Sequence, residues 1–456
     1  MTSRADPNNP GTFSPHLYDL VPSIQETLRR HVIDAWFPRC IDRERGGYDC
    51  DFDRRWRPRG PQHRMLEFQG RQMRSAARLA LLFPHEERFY DFALHGLRYL
   101  RDVMWDHQHG GWYTLVAADG SPLAGGTKHA HGTAYAVQGC AVVYQATGDS
   151  NARALSEEAF EWFDARAHDD QHGGYHSWLT GAGRVIRSAE EVPAGTAPVD
   201  PVADVIGMRD INVHGDWLEG LNESISILNH RGMAERLQEV AEIFLDHITT
   251  PHGDVFYGFR DDWSPLPQPE RFGHSFQTIE RLISAAPAVS QGHRLRERAF
   301  VIGEHAFRHA ARDGGGYVFF RATHAPEYLE GVRLVSRRRV WWVQLAAMNA
   351  LAIFATDLRD DRERYGEILR RHWRFMQDRL IDSEYDGFYP VVPQDLGRQG
   401  KLRRTIGGSP ELAKGNVWKD ASHEVDSLLG TLKLLRKPLP AHAGPSGPGQ
   451  ASIAPS

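Results

Sequence analysis

Histidines and carboxylates occur inside several helix-like apolar stretches of the chain, where their types and spacing suit acid–base chemistry. His274 and Gln277 stand three residues apart, and so do Asp216 and Glu219. Residues three apart on a helix share one face. Because imidazole titrates near neutral pH, a histidine on such a face can remove a proton from a carbon next to a carbonyl group. Three further clusters combine polar and aromatic residues in the same way: residues 67–72, 341–344 and 418–424.

Motifs for other chemistries do not occur in the sequence. His-Glu-x-x-His, Gly-x-Ser-x-Gly, the phosphate-binding P-loop and Gly-x-Gly-x-x-Gly are all missing. We therefore expect neither a metal nor a cofactor. The 12 tryptophans and 24 histidines shift the balance slightly toward a carbohydrate site, because indole rings are flat apolar platforms.

A short element recurs along the chain and indicates how these residues are positioned. It consists of a turn with one to three glycines, followed by an aromatic residue, and it returns every 60 to 80 residues or so. That interval holds two helices and their connections. An open helical solenoid repeats at shorter intervals, of about 34 to 47 residues. The sequence therefore predicts an all-α fold, an (α/α)₆ barrel of six helical hairpins with short β-hairpin excursions at one end.

Composition limits the partners and the compartment. The net charge of −5 does not indicate binding to nucleic acid or to an anionic membrane surface. Three scattered cysteines make neither a disulfide framework nor a zinc site. Residues 1–14 lack the apolar core of a secretory signal, so we expect a cytoplasmic protein. We predict a flexible segment at 1–15, one barrel over 16–436, with residues 192–202 as a candidate lid, and a disordered tail at 437–456.

The polar clusters, in this order, resemble the N-acylglucosamine 2-epimerase superfamily, which includes cellobiose 2-epimerases and mannose isomerases. The resemblance spans the chain from about Tyr18 to Leu435. It rests on moderately specific motifs: Gln-Gly-Arg-Gln around Arg71, the Asn-containing segment 212–219, Gly-His at His274, Trp-Trp-x-Gln at 341–344 and Trp-Lys-x-x-x-His ending at His423. The resemblance implies an (α/α)₆ barrel that needs no metal and acts on a sugar, as a monomer or a homodimer.

The resemblance also implies the roles of individual residues. His274 and His423 take the places of the acid and base that act at C2 of an opened sugar through a cis-enediolate. Arg71 takes the place of an arginine that binds the sugar oxygens. We predict that the substrate also contacts a further set of side chains: His131, Asn212, His214, Asp216, Glu219, Gln277, Trp342 and Trp418.

Several positions depart from the family's usual pattern. Gln277 stands where relatives place a glutamate, Asp216 where a histidine is common, and Ala346 where another glutamate follows. The family's tyrosine is also replaced within segment 128–131. Because a neutral amide cannot stabilise imidazolium as a carboxylate does, we expect His274 to be a weaker base.

Two other functions are compatible with the same barrel. One is glycoside hydrolysis by carboxylates, with Asp216, Glu219 or Glu424 recruited. The spacing of Asp216 and Glu219 on one helix counts against it, because two such carboxylates are poorly placed to flank a bond. The other is a catalytically silent sugar-binding protein that keeps Arg71 and the tryptophans. Fold alone does not choose among them.

Overall fold

The computed structural model describes residues 15–203, 205–312, 314–318, 320–321, 338–357, 361–396 and 412–436. The predicted flexible segment and tail lie outside these residues, apart from Pro15, which begins the first helix. In chain order the α-helices of the described residues are α1 (Pro15–Tyr18), α2 (Leu20–Thr27), α3 (Asp34–Trp36), α4 (Leu66–Leu82), α5 (Arg88–Tyr99), α6 (Ala130–Thr147), α7 (Ser150–Ala167), α8 (Ile211–Leu228), α9 (Arg231–Ile243), α10 (Phe272–Ala285), α11 (Gly292–Ala310), α12 (Trp341–Thr356), α13 (Arg362–Arg379) and α14 (Ser422–Leu435).

The helices form two concentric rings. Within the described ranges the inner ring consists of α4, α6, α8, α10, α12 and α14, each packed on the next, and α14 closes the ring on α4. The outer helices α5, α7, α9, α11 and α13 each pack on the inner helix that precedes them. The last inner helix has its partner at the other end of the chain, because α2 packs on α14. The predicted (α/α)₆ barrel is confirmed.

Sequence patterns account for which helices lie inside. In α12 nearly every residue from Trp341 to Ala355 is buried, as expected of a helix that is apolar on all sides. The outer helix α5 instead buries one face, with Phe89, Phe92, Ala93, Gly96 and Leu97. Between α4 and α6 the backbones approach closely, since a Cβ on Gly70 would lie 3.0 Å from the backbone of Ala136.

Short antiparallel strand pairs link successive hairpins at one end of the barrel. In the part of the chain that the structure describes, the pairs are β1 (Arg64–Met65) with β2 (Leu115–Val116), β3 (Lys128–His129) with β4 (Trp178–Leu179), β5 (Arg209–Asp210) with β6 (Gly258–Phe259), and β7 (Glu270–Arg271) with β8 (Phe320–Arg321). The first strand of every pair ends directly before an inner helix. The predicted β excursions therefore lie at the N-terminal ends of the inner helices.

The recurring glycine turns join the outer helices to these strands. Gly46 and Gly47 have φ of +86° and +68°, the left-handed region that glycine adopts at little cost. Asp42 accepts hydrogen bonds from the amides of the same turn and forms an ion pair with Arg64, two residues before α4. The same device recurs with Asp106 and Lys128 before α6, so each turn is tied to the start of an inner helix.

Other sequence expectations have simple outcomes. Cys50 and Cys140, whose small and apolar neighbours in the sequence predict buried free thiols, are buried and free, and so is Cys40. Arg339 is the last of three consecutive arginines in the sequence, and it forms an ion pair with Asp395. No helix of the described residues has the length and apolar character needed to cross a membrane.

Candidate active site

The first turns of the inner helices converge at the strand-bearing end of the barrel and carry the predicted site. The second helical residue is polar or aromatic in α4, α6, α8, α12 and α14: Glu67, His131, Asn212, Trp342 and His423. In α10 that position is Gly273, followed by His274. A Cβ on Gly273 would lie 2.3 Å from the Trp342 ring. The glycine therefore leaves room for the indole of the neighbouring helix.

His274 and His423 are brought together by this indole ring. Trp342 stacks on His423 with ring centroids 5.7 Å apart. The same ring meets His274 edge-on, with centroids 5.3 Å apart. His274 is buried, and His423 is partly buried. The two residues predicted as acid and base thus both contact the same indole ring.

Asn212 fixes the orientation of His274. The imidazole Nε2–H donates to Asn212 Oδ1 at 2.7 Å, and the amide Nδ2 of Asn212 donates to the hydroxyl of Tyr257 at 2.9 Å. In the neutral ring this leaves the basic lone pair on Nδ1. Burial, together with the positive charges of Arg271 and Arg281, holds the pKa of His274 well below its usual value. His274 is therefore a neutral imidazole at physiological pH.

His423 is neutral for a similar reason. Burial is the main cause, and the nearby Arg71 guanidinium adds to it, so that the pKa of His423 falls to about 3. A neutral imidazole can accept a proton without first losing one. Both candidate residues are thus in the form that a general base requires.

His131 is the histidine that carries a charge. Its Nε2 lies 2.7 Å from Glu67 Oε2, and its Nδ1 contacts Asp216. Burial by itself lowers the pKa of His131, but the two carboxylates outweigh it and raise the pKa to about 10. The site therefore contains an imidazolium clamped between two carboxylates, with the hydroxyl of Tyr135 donating to Asp216 at 2.8 Å.

Arginines continue the alternation of charge on both sides of His131. Arg71 pairs with Glu67 and, through Nε at 2.7 Å, with Asp420. Arg281 reaches Asp216 at 2.6 Å and Glu219 at 3.3 Å. Asp216 and Glu219, predicted to contact the substrate, thus hold cations in place. The spacing of Glu67 and Arg71 could have indicated their pairing, whereas no sequence signal indicated the contacts of Asp420, Arg281 or Tyr257.

The remaining predicted residues have different positions. Trp418 is 41% exposed, and its ring lies 6.5 Å from that of His131, so it borders the site from the solvent side. Gln277 and Ala346, which replace family carboxylates, line a cavity together with His423. Asp200, from the candidate lid segment, contacts His129 at 3.2 Å, which docks that segment beside the start of α6.

His214 lies outside this cluster. Its Nδ1 contacts the carbonyl of Asp210 at 2.8 Å, and its Nε2 accepts the amide of Tyr175 at 3.1 Å. It therefore binds the backbone of Tyr175, directly after the glycine turn, and does not contact His274 or His423. Two glutamines of the family motifs make similar contacts. Gln69 accepts from the amide of Tyr48 and donates to its carbonyl oxygen, and Gln344 does the same with Tyr317.

Carboxylates that could serve hydrolysis are engaged elsewhere. Asp216 and Glu219 share Arg281, and the buried Glu424 accepts from Lys419 Nζ at 3.0 Å. Among the described residues no group of three or more His, Cys, Asp or Glu side chains is arranged to hold a metal ion.

A closed (α/α)₆ barrel with two neutral histidines, an imidazolium and alternating arginines and carboxylates at one mouth defines a narrow class of proteins. The chain belongs to the N-acylglucosamine 2-epimerase family, whose model matches residues 46–192 and 206–404.

Known proteins of this family resemble the chain over most of its length. The cellobiose 2-epimerase of Dictyoglomus turgidum is 21% identical over 374 residues, which cover 80% of this chain and 88% of that relative. The structure of cellobiose 2-epimerase from Spirochaeta thermophila has a TM-score of 0.77 at 22% identity, covering 92% of this chain and 98% of the other. A D-mannose isomerase structure gives 0.73 at 19% identity, with 90% and 97% covered. The chain is thus a member of a family of sugar epimerases and isomerases.

Proposed function

We propose that this enzyme removes the proton at C2 of an aldose, or a proton at C1 of a ketose, through a cis-enediolate, with His274 and His423 as the transferring groups and no obligatory metal. The observation that carries the proposal is the pair of imidazoles, neutral at physiological pH, that both contact the ring of Trp342. Epimerisation and aldose–ketose isomerisation share the first step, in which a neutral imidazole removes the C2 proton.

The surrounding cations suit the charge that forms next. When the C2 proton leaves, negative charge develops on O1 and O2 of the substrate. Arg71 and the His131 imidazolium are fixed in advance by Glu67, Asp216 and Asp420, so they stabilise this charge without reorganising. Return of the proton to C1 by the same imidazole gives the isomer, and delivery to the opposite face of C2 by the second gives the epimer.

Hydrolysis and silent binding are less well supported. The candidate carboxylates Asp216, Glu219 and Glu424 are committed to Arg281 or Lys419, whereas a glycosidase needs two carboxyl groups that flank one bond. A silent binding protein has no need of an oriented, neutral His274.

Isotope exchange tests the proposal directly. The chelator-treated protein is incubated in D₂O with aldoses, ketoses and β-1,4 disaccharides, and the protons at C1 and C2 are followed by NMR. We expect deuterium to enter C2 or C1, and His274→Ala and His423→Ala each to abolish the exchange, since general acid–base groups contribute about 10²- to 10⁴-fold. The product then identifies the reaction as epimerisation or isomerisation.

The other outcomes contradict the proposal. A new reducing end without deuterium exchange would establish a hydrolase. Sugar binding without any exchange would establish a silent binding protein. Exchange that survives both histidine substitutions would assign the proton transfer to other residues.

A further inference from the structure

A chamber of about 1230 Å³ is lined at one end by His423, one of the two candidate histidines. Its upper wall contains Gln277, Ser422 and His423, and its lower wall contains residues 229–231 and 287–288, which come shortly after the ends of the inner helices α8 and α10. The chamber thus extends from the acid–base layer toward the C-terminal ends of the inner helices. It exceeds the size of about 300 to 1,000 Å³ that is common for small-molecule sites.

Most of the acidic side chains of the chamber have arginine partners. Glu219 pairs with Arg74 and Arg281, Glu223 with Arg78, and Asp426 with both Arg74 and Arg78. These pairs hold the helices of the inner ring together across the chamber. Their oxygens are therefore already used by the protein.

Glu280 differs from these acids. Its carboxyl group hydrogen-bonds Asn349, but in the described ranges it forms no ion pair. The charged and titratable groups that line the chamber with it are Arg74, Arg78, Tyr135, Glu219, Glu223, His230, Arg231, Arg281, His423, Asp426 and Lys433, of which Glu219, Asp426 and Arg78 act on its charge. The described lining residues of α12 are uncharged, and α11 packs on α10 with apolar side chains such as Leu295 and Ile302. A carboxyl group that faces a cavity with no cation bound to it is available to a ligand.

The position of Glu280 relative to His274 matches the length of a sugar. The two residues lie six apart on α10, which corresponds to about 9 Å along a helix axis. An open six-carbon chain with its terminal oxygens has a comparable length. Gln277 lies about one turn before Glu280 on α10, is uncharged and lines the same chamber. The family pattern has a glutamate at position 277. In this chain the carboxyl group of α10 that lines the chamber is therefore that of Glu280, one turn deeper.

We propose that Glu280 determines specificity by accepting hydrogen bonds from the terminal hydroxyl groups of an opened hexose whose C2 lies at His274 and His423. The assignment rests on the proposed function, since it places the reacting carbon at the two histidines. A pentose is one carbon shorter and a 6-deoxyhexose has no hydroxyl group at C6, so each loses the contact. The enzyme therefore prefers six-carbon sugars that have a hydroxyl group at C6.

The ionisation of Glu280 provides a signature of this role. Burial, and then the charge of Glu219, raise the pKa of Glu280 to about 7. The ionised carboxylate is the stronger hydrogen-bond acceptor, so the KM for a hexose falls as the pH rises through 7. In Glu280→Gln this pH dependence is lost, whereas a purely structural role would change stability and leave the pH profile of KM in place.

The experiment compares a hexose with its 6-deoxy analogue. We expect the wild-type enzyme to prefer the hexose in kcat/KM by about 10- to 100-fold, as for one hydrogen bond to a charged group. Glu280→Ala should reduce this ratio to near unity, mainly through KM. Glu158→Gln, an exposed substitution on the outer helix α7, serves as the control, and circular dichroism verifies that each variant is folded. An unchanged ratio in Glu280→Ala would overturn the assignment.

Binding of unreactive open-chain polyols separates this inference from the proposed function. If the wild-type protein shows no exchange at C2, the proposed function fails, and calorimetry with a hexitol and its 6-deoxy analogue still tests Glu280. Tighter binding of the hexitol that disappears in Glu280→Ala supports the contact. Equal binding of both polyols, or no binding of either, excludes it.

Discussion

At the scale of single residues, the three histidines of the site differ in charge although they share one side-chain chemistry. Burial keeps His274 and His423 neutral, with the pKa of His423 at about 3. His131 is as buried as His274, but Glu67 and Asp216 raise its pKa to about 10. Environment therefore assigns the base and the cation.

Substitution of Asn212 tests the orientation of His274. In Asn212→Ala the imidazole loses the acceptor that holds Nε2–H, and we expect kcat to fall by part of the roughly 10²- to 10⁴-fold that a positioned base contributes. In Asn212→Asp the new carboxylate favours imidazolium and raises the pKa of His274. The acidic limb of the pH profile of kcat/KM should then move to higher pH.

The matched control is Asn151→Asp, an exposed residue at the start of α7. Its pH profile should equal that of the wild-type enzyme. An unshifted profile in Asn212→Asp would mean that His274 is not the titrating base.

At the scale of elements, three inner helices are hydrogen-bonded through a side chain to the backbone that follows a glycine turn. Gln69, His214 and Gln344 each occupy the fourth position of an inner helix, and each accepts the amide of the aromatic residue that follows the turn. The device couples the strand-bearing loops to the helices that carry the site. It also accounts for the glutamines of two motifs without a role in substrate binding.

Substitution of His214 tests this hydrogen bond. His214→Ala leaves the buried amide of Tyr175 without its acceptor, and we expect the free energy of unfolding to fall by about 1 to 3 kcal/mol. His214→Gln should recover most of the loss, because glutamine performs this task at the two equivalent positions. Urea denaturation measures both variants. A substitution that raised KM without lowering stability would instead assign His214 to the substrate.

At the scale of the whole molecule, ring closure and buried ion pairs hold the barrel together. The N-terminal helix α2 covers the last inner helix α14, so the two ends of the described chain complete one layer. Buried carboxylates then join elements far apart in sequence, as Asp382 does with Arg54 and Lys414.

These pairs predict a steep loss of stability in acid. Burial alone would raise the pKa of Asp106, Glu219 and Asp382, but their cationic partners lower it to about 2 in each case. Because the unfolded chain binds protons at higher pH than the folded protein, the stability from these groups is present above about pH 4.5 and is lost as the pH falls toward 2. Urea denaturation across this range should show the decline.

Lys128→Met gives a matched comparison for one pair. It removes the main cation that holds down the pKa of Asp106, so the variant should be less stable at neutral pH and lose less stability in acid. Parallel curves for the two proteins would show that the pair does not contribute to the acid transition.

The sequence by itself determined the barrel, the place of the strand excursions and the two candidate histidines. Helical periodicity and recurring glycine turns are local properties, so they can be recognised in a single sequence without knowledge of tertiary contacts. The motifs around Arg71, His274 and His423 likewise name residue types that suit proton transfer.

Only the tertiary structure decided which polar residues meet and in what charge state. His131, Glu67 and Asp216 lie on three different inner helices, so their pairing depends on the closed ring and not on spacing along the chain. The same holds for His214, which lies on the helix of Asn212 but faces away from the site, and for Glu280, whose lack of a cation follows from the arginines of neighbouring helices. Burial and through-space charge set these properties, and neither is a local property of sequence.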